Sequence, residues 1–160
     1  MNNITSQNSY NTIQLTIAIP TFNRAKYLNK SLELIVSQMR RLCNVELIVI
    51  DNASTDETYE VCQKYKESFV FSYHRLDQNL GMSSSQYECL LKARGDYILI
   101  FSDDDYLEPN GLQIILNAIK SNYDLYAFNY KSAKHGQKNL PIGPLTSCKF
   151  NYGFQLMNYP

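Results

Sequence analysis

Three consecutive aspartates, Asp103-Asp104-Asp105, directly follow the apolar run Tyr97-Ile98-Leu99-Ile100-Phe101-Ser102. A buried strand that ends in clustered carboxylates puts negative charge at the carboxyl edge of a sheet, where open α/β folds bind ligands. Like charges that close repel one another, so a cation should sit among them. Oxygen-only donors suit a hard divalent ion, and Mg²⁺ or Mn²⁺ usually reaches a protein together with phosphate. The chemistry this implies is that of a nucleotide.

Other polar loops should meet the aspartates at the same edge: Pro20-Thr21-Phe22-Asn23, Asp51-Asn52-Ala53-Ser54 and Asn79-Leu80-Gly81. Asp51 ends a second apolar run, and its carboxylate can accept hydrogen bonds from a base N–H or a ribose hydroxyl. Side chains alternate along an extended chain, so Asp103 and Asp105 can face one way and Asp104 the other. Asp103 and Asp105 would then divide sugar hydroxyls and metal between them. A plainer reading makes Asp51-Asn52 an Asx turn and Ser54 a helix cap. Three adjacent carboxylates exceed what such a turn requires. Arg24, Lys26, His74 and Arg75 lie near these loops and could reach phosphate, although most such residues are simply solvated. Neither G-x-G-x-x-G nor G-x-x-x-x-G-K-[ST] is present, which argues against NAD enzymes and P-loop hydrolases. No G-x-S-x-G serine or base-paired cysteine suggests a nucleophile.

The elements that must position these loops alternate regularly. Leu15 to Ile19 reads as a strand stopped by Pro20. Leu28, Leu32, Ile35 and Met39 give one apolar stripe on a helix over about residues 25–40. Val45 to Ile50 is a second strand, closed by Asp51. Ser54-Thr55-Asp56-Glu57 has the form of a capping box, ahead of a helix with Thr58, Val61, Cys62 and Tyr65 on its inner face. Phe69 to Tyr73 is a weaker strand. A helix with Tyr87, Leu90 and Leu91 inward runs to Gly95, and Tyr97 to Phe101 is the fourth strand. Pro109 suits a first helical position ahead of Leu112, Ile115, Leu116 and Ile119, and Asp124 to Tyr130 reads as a fifth strand. The alternation implies an α/β fold with a mainly parallel sheet, and strands two and four read as buried on both faces. Residues 1–12 form a polar tail, 13–130 a domain, and 131–160 the start of a further region.

With 160 residues the chain suffices for one domain. Fifteen basic and fifteen acidic residues cancel, so no overall field favours nucleic acid. Four dispersed cysteines read as reduced thiols, and no signal-like or membrane-spanning segment is evident. The expectation is a cytoplasmic protein.

Four stretches together resemble glycosyltransferase family 2: Ile17 to Arg24, Glu46 to Asp56, Asn79-Leu80-Gly81, and Gly95 through Asp105. The resemblance covers about residues 13–130. It implies a GT-A (Rossmann-like) fold and transfer of a sugar, with inversion, from a nucleotide-sugar donor to a saccharide or lipid-linked acceptor. Surface polysaccharide or glycoconjugate synthesis is the expected setting, at the inner face of the membrane where the acceptor is lipid-linked. Pro20, Thr21, Phe22, Asn23 and Asp51 would cradle base and ribose, with Gly81 leaving the donor-side loop open. Asp103 and Asp104 would face ribose and donor sugar, and Asp105 would bind Mn²⁺ or Mg²⁺ across the diphosphate. The resemblance stops before the acceptor half, and the general base that half supplies has no counterpart from Lys131 to Pro160. The alternative is a non-catalytic nucleotide-sugar-binding module or an inactive shortened relative. A nucleotidyltransferase is disfavoured by Pro20-Thr21-Phe22-Asn23 where a basic glycine-rich loop would stand. Ser83-Ser84-Ser85-Gln86 also replaces the Ala-Arg-Asn often found in the family.

Overall fold

The computed structural model describes residues 12–40, 42–66, 71–126 and 147–148. By compactness the chain divides into two units, Met1–Leu116 and Asn117–Pro160. In the first, elements follow in the order β1 (Leu15–Thr21), α1 (Ala25–Met39), β2 (Val45–Asp51), α2 (Thr58–Gln63), β3 (Phe71–Arg75), α3 (Met82–Lys92), β4 (Tyr97–Ile100) and the start of α4 (Gly111–Ile119). The four strands form one sheet in the order β3-β2-β1-β4, with every pairing parallel. Parallel crossovers are right-handed. Connections that move outward from β1 to β3 therefore put α1 and α2 on one face. The return from β3 to β4 puts α3 on the other. The strand order reverses between β1 and β4, and at their carboxyl ends the loops diverge.

Burial explains why these segments are strands. All seven residues of β2 are buried, as are six of the seven in β1. Ala18, Ile48 and Ile50 meet Cys89 of α3 in one cluster, with Leu76 and Ile98 against it. Cys89 is held as a thiol, burial pushing its pKa up to about 11. Alternation sends Ile17, Ile19, Leu47 and Val49 to the opposite face. The helix expected from the stripe Leu28, Leu32, Ile35 and Met39 is α1, and all four are buried.

Several expectations require correction. Pro20 does not stop β1, which runs on to Thr21. The Ala18 carbonyl accepts from Phe101 on the β4 side and the Thr21 carbonyl accepts from Asn52 on the β2 side. Pro20 therefore turns its missing N–H toward β4, whose pairing ends at Ala18, and no ladder bond is lost. β4 is not buried on both faces: it is the outermost strand among the described residues, and Ile100 is exposed. α3 turns Ser85 and Cys89 inward, while Tyr87, Leu90 and Leu91 are all exposed. The small inner residues let the helix lie close to β1 and β2. α4 begins at Gly111, two residues after Pro109, because Asn110 takes a left-handed φ of 61°. Its expected inner residues Leu112, Ile115, Leu116 and Ile119 are buried. β3 starts at Phe71, and the expected Phe69 and Val70 lie outside the described residues.

The second unit holds the end of α4 and an antiparallel pair of two-residue strands, β5 (Leu125–Tyr126) and β6 (Ser147–Cys148). The Tyr126 hydroxyl accepts the Tyr123 N–H at 2.9 Å. The remainder of the expected strand, to Tyr130, lies outside the described residues, as does most of 131–160.

At the amino edge of the sheet, the Glu46 side chain is only 1% exposed. It accepts the Thr16 hydroxyl at 2.6 Å and the Arg94 N–H at 2.7 Å, and Arg94 adds Nε and Nη2 at 2.7 and 2.6 Å. A buried carboxylate needs this degree of satisfaction. The backbone of Gly95 lies against β1, where an added Cβ would stand 2.6 Å from the Thr16 amide nitrogen and 2.8 Å from the Leu15 carbonyl carbon. Backbone cannot yield as a side chain can. Gly95→Ala should therefore cost about 1–3 kcal/mol, seen as a lower urea midpoint at unchanged m-value.

Candidate functional site

The loops at the carboxyl edge are fastened to one another before any ligand is considered. After β2, Ala53 takes a φ of 64°, a costly left-handed turn for alanine. The Asp51 carboxylate closes that turn by accepting the Ser54 N–H at 2.8 Å. Ser54 Oγ accepts the Asn23 N–H at 2.9 Å, and Asn23 Oδ1 accepts the Thr55 N–H at 2.7 Å. Ser54 is thus spent on a tie across loops and caps no helix. The expected capping box gives way to Asp56: α2 begins at Thr58, whose N–H and hydroxyl reach Asp56 Oδ1 at 3.1 and 2.5 Å. Its other oxygen accepts the N–H of Ala25, the first residue of α1, at 2.9 Å. Asn52 bridges to the β3–α3 loop, donating to Asn79 Oδ1 at 2.8 Å and accepting the Leu80 N–H at 2.9 Å.

Between these loops lies a cavity of about 570 Å³. Pro20 and Thr21 line it from the end of β1, with Phe22 just beyond, and Asn52 and Asn79 from the neighbouring loops. Gly81, Met82, Ser85 and Gln86 contribute the amino end of α3, and Ser102, Asp103 and Asp105 the loop that follows β4. The cavity therefore sits where the strand order reverses, as expected for an open sheet. Gly81 has a φ of 83°, which is why glycine stands there; an added Cβ would meet nothing within 4 Å.

The aspartates occupy three distinct environments. Asp103 is buried and accepts the Thr21 hydroxyl at 2.8 Å and Arg24 Nε at 3.2 Å. Burial raises its pKa above the ordinary carboxylate value, Thr21 and Arg24 pull it back, and the neighbouring aspartates add to the rise. Asp104 points out of the cavity and pairs with Arg24 Nη2 and the Ser102 hydroxyl. Ser102 and Arg24 hold it low, against a smaller desolvation. Desolvation tends to lower the Arg24 pKa, but Asp103 and Asp104 outweigh it and the guanidinium stays raised. Asp105 lines the cavity, and no described group pairs with its carboxylate. Partial desolvation, then Asp104, raises its pKa. Its backbone is fixed by the buried Ser31 of α1, whose hydroxyl donates to the Asp105 carbonyl at 3.0 Å.

Of the residues expected from sequence, Pro20, Thr21, Phe22, Gly81, Asp103 and Asp105 come together around the cavity, with Asp103 and Asp105 on one side and Asp104 on the other. Asn23, Asp51 and Asp104 do not line it. Asp51 is fully buried, and its second oxygen takes the Tyr73 hydroxyl at 2.5 Å, with Arg75 at 3.7 Å. Arg24 enters the cavity, whereas Lys26, His74 and Arg75 do not. Sequence reasoning missed Asn52, Asn79 and Ser31 as organisers. Asn52 and Asn79 had a signal, each standing in a turn beside a residue already singled out. Ser31 had none: a serine inside an apolar stripe looks like an interruption.

An open parallel sheet with an acidic cavity at its reversal point is the architecture of a GT-A domain, and solved GT-A proteins share it. TarS of Staphylococcus aureus superimposes with a TM-score of 0.63 at 26% identity, over 68% of this chain and 32% of that fragment. It has also been solved with UDP and with UDP-GlcNAc. A mannosyltransferase from Pyrobaculum calidifontis, in complex with GDP-Man and Mn²⁺, shares the fold with a TM-score of 0.60 at 24% identity, over 67% of this chain and 31% of that one. The chain belongs to glycosyltransferase family 2, whose model, "Glycosyl transferase family 2", matches residues 16–157. Among curated relatives, the abequosyltransferase RfbV of Salmonella typhimurium is 34% identical over 119 residues, 73% of this chain and 36% of RfbV. This chain thus spans about a third of those relatives' length. Among the described residues no helix is long and apolar enough to cross a membrane.

Asp56 offers a direct check on how the loops are held. Desolvation raises its pKa, but the Thr58 hydroxyl and the Ala25 and Thr58 N–H groups outweigh that and hold it low. Its contribution is therefore full above the ordinary carboxylate value and fades as pH falls through the lowered one. Asp56→Ala should cost about 1–2 kcal/mol at neutral pH. In urea unfolding, the gap between wild type and variant should narrow below about pH 4.

Proposed function

We propose that residues 13–130 form the donor-binding part of an inverting, metal-dependent family 2 glycosyltransferase. The observation that carries this reading is Asp105: a carboxylate beside Asp103 that no described residue pairs, in a cavity of about 570 Å³ at the sheet's reversal point. On this reading Pro20, Thr21 and Phe22 receive base and ribose. Asp51 braces them from behind, and a base reaching it would have to share it with Tyr73. Asp103 meets ribose or sugar hydroxyls with the oxygen edges that Thr21 and Arg24 leave open. Asp104 acts through Arg24, which it holds from outside the cavity. Gly81 opens α3 without a side-chain cap, leaving N–H groups beside the cavity for a phosphate.

The donor set fits a hard ion. Among the described residues no three His, Cys, Asp or Glu side chains converge as a protein cage would need. One or two carboxylates completed by substrate phosphates is the usual arrangement for Mg²⁺. Mn²⁺ or Mg²⁺ bound at Asp105 would supply Lewis-acid stabilisation of charge on the departing nucleoside diphosphate. TarS and RfbV are named as sugar transferases, and the former has been solved with UDP-GlcNAc. By that kinship the proposed setting is surface polysaccharide or glycoconjugate synthesis, with a saccharide or lipid-linked acceptor at the inner face of the membrane. The general base would come from outside residues 13–130.

Calorimetry with UDP, GDP, CDP and dTDP, each with and without Mn²⁺, tests the reading. At least one should bind more tightly with Mn²⁺, and Asp105→Ala should remove that gain, on the order of tenfold or about 1.4 kcal/mol. Unchanged affinity in the variant would count against the metal role.

A further inference from the structure

The cation expected among the three aspartates is present, and it belongs to the protein. Arg24, at the residue just before α1, reaches Asp103 through Nε at 3.2 Å and Asp104 through Nη2. Its guanidinium also lies 4.9 Å over the ring of Tyr27. Two of the three carboxylates are thereby engaged, and Asp103 also accepts a hydrogen bond from the Thr21 hydroxyl at 2.8 Å. Three negative charges less one positive leave the cluster with a net charge of minus two, and among the described residues no group engages either oxygen of Asp105. A single exposed carboxylate is a poor chelator of a strongly hydrated divalent ion.

We propose that Arg24 is a built-in counter-ion that keeps divalent metal out of the aspartate cluster until a nucleoside diphosphate arrives. The inference rests on the donor-site reading above and adds an order of binding to it. A diphosphate brings both missing components. Its oxygens supply the ligands Asp105 lacks, and its charge gives the guanidinium a second anion to which its forked donors are well matched. Arg24 can answer because it is not locked in place: its side chain is 40% exposed, and so is that of its outer partner Asp104, at 42%. The inner partner Asp103 keeps the Thr21 hydrogen bond when Arg24 turns. A purely structural role, pinning the β1 loop to the β4 loop, makes a different prediction: removing the guanidinium would loosen the loops and weaken every ligand alike.

The test compares wild type, Arg24→Gln and Arg24→Lys, each checked for folding by circular dichroism. Mn²⁺ is titrated first alone and then with the tightest-binding of UDP, GDP, CDP and dTDP, and free Mn²⁺ is followed by electron paramagnetic resonance. Wild type and Arg24→Lys should bind Mn²⁺ alone weakly. Arg24→Gln should bind it alone about tenfold or more tightly, because repulsion is relieved and two carboxylates are released. By reciprocity the nucleotide should then enhance Mn²⁺ binding less in Arg24→Gln than in wild type. Wild type binding Mn²⁺ alone as tightly as with nucleotide overturns the proposal, whether or not any variant folds. So does a folded Arg24→Gln that binds Mn²⁺ alone no better than wild type, or an Arg24→Lys that behaves like Arg24→Gln. If no nucleotide binds at all, the donor-site reading falls with the ordering built on it. The metal-alone titrations need no nucleotide, so the two failures are distinct.

Discussion

Negative charge concentrated at the rim of a parallel sheet must be held in place against its own repulsion, and one guanidinium does this here. Arg24 ties the end of β1 to the end of β4 through Asp103 and Asp104. These are the two strands between which the order reverses, so the ion pairs span the mouth of the cavity. Partly exposed pairs of this kind add little to global stability. Their consequence is local: they determine which of three adjacent carboxylates remains available. Asp105 is the one left.

The remaining machinery is built around keeping that rim rigid. Asp51, Ser54, Asn23 and Asp56 form a continuous set of bonds from the end of β2 to the starts of α1 and α2. Asn52 extends it to the β3–α3 loop. Ser31 secures Asp105 from the helix behind. Residues that look like ligand contacts in a linear reading, Asp51 and Asn23 above all, thus act as braces. Fixed loops hold a cavity open without a ligand, which lowers the ordering entropy a ligand must overcome.

The opposite edge of the sheet shows the same principle without a cavity. Glu46 is buried like the core residues, and Thr16 and Arg94 satisfy its carboxylate, while the Gly95 N–H donates to the same Thr16 hydroxyl. A carboxylate so completely bonded has no capacity left for chemistry. The contrast with Asp105 separates an acidic residue that builds the fold from one whose carboxylate no described group engages.

Much of this was legible in the amino-acid chain. Long apolar runs fixed β1 and β2 because burial on both faces leaves no polar alternation to misread, and the 4-3-4 spacing of Leu28, Leu32, Ile35 and Met39 specified α1. The aspartate cluster follows from residue type alone, whereas Asp103 and Asp105 part from Asp104 in a turn beyond β4, where the Asp105 N–H donates to the Ser102 carbonyl, and not by alternation along a strand. Tertiary structure decided the rest. It turned Leu90 and Leu91 outward on α3, because the tight seat against β1 and β2 admits only Ser85 and Cys89. It let Pro20 stay in β1, because β4 had already left the ladder on that side. It gave the capping of α1 and α2 to one carboxylate, and it placed Arg24 among the aspartates. Sequence specifies a residue's periodicity and chemical type, whereas which of its neighbours' hydrogen bonds are already taken is a property of loops that meet only in three dimensions.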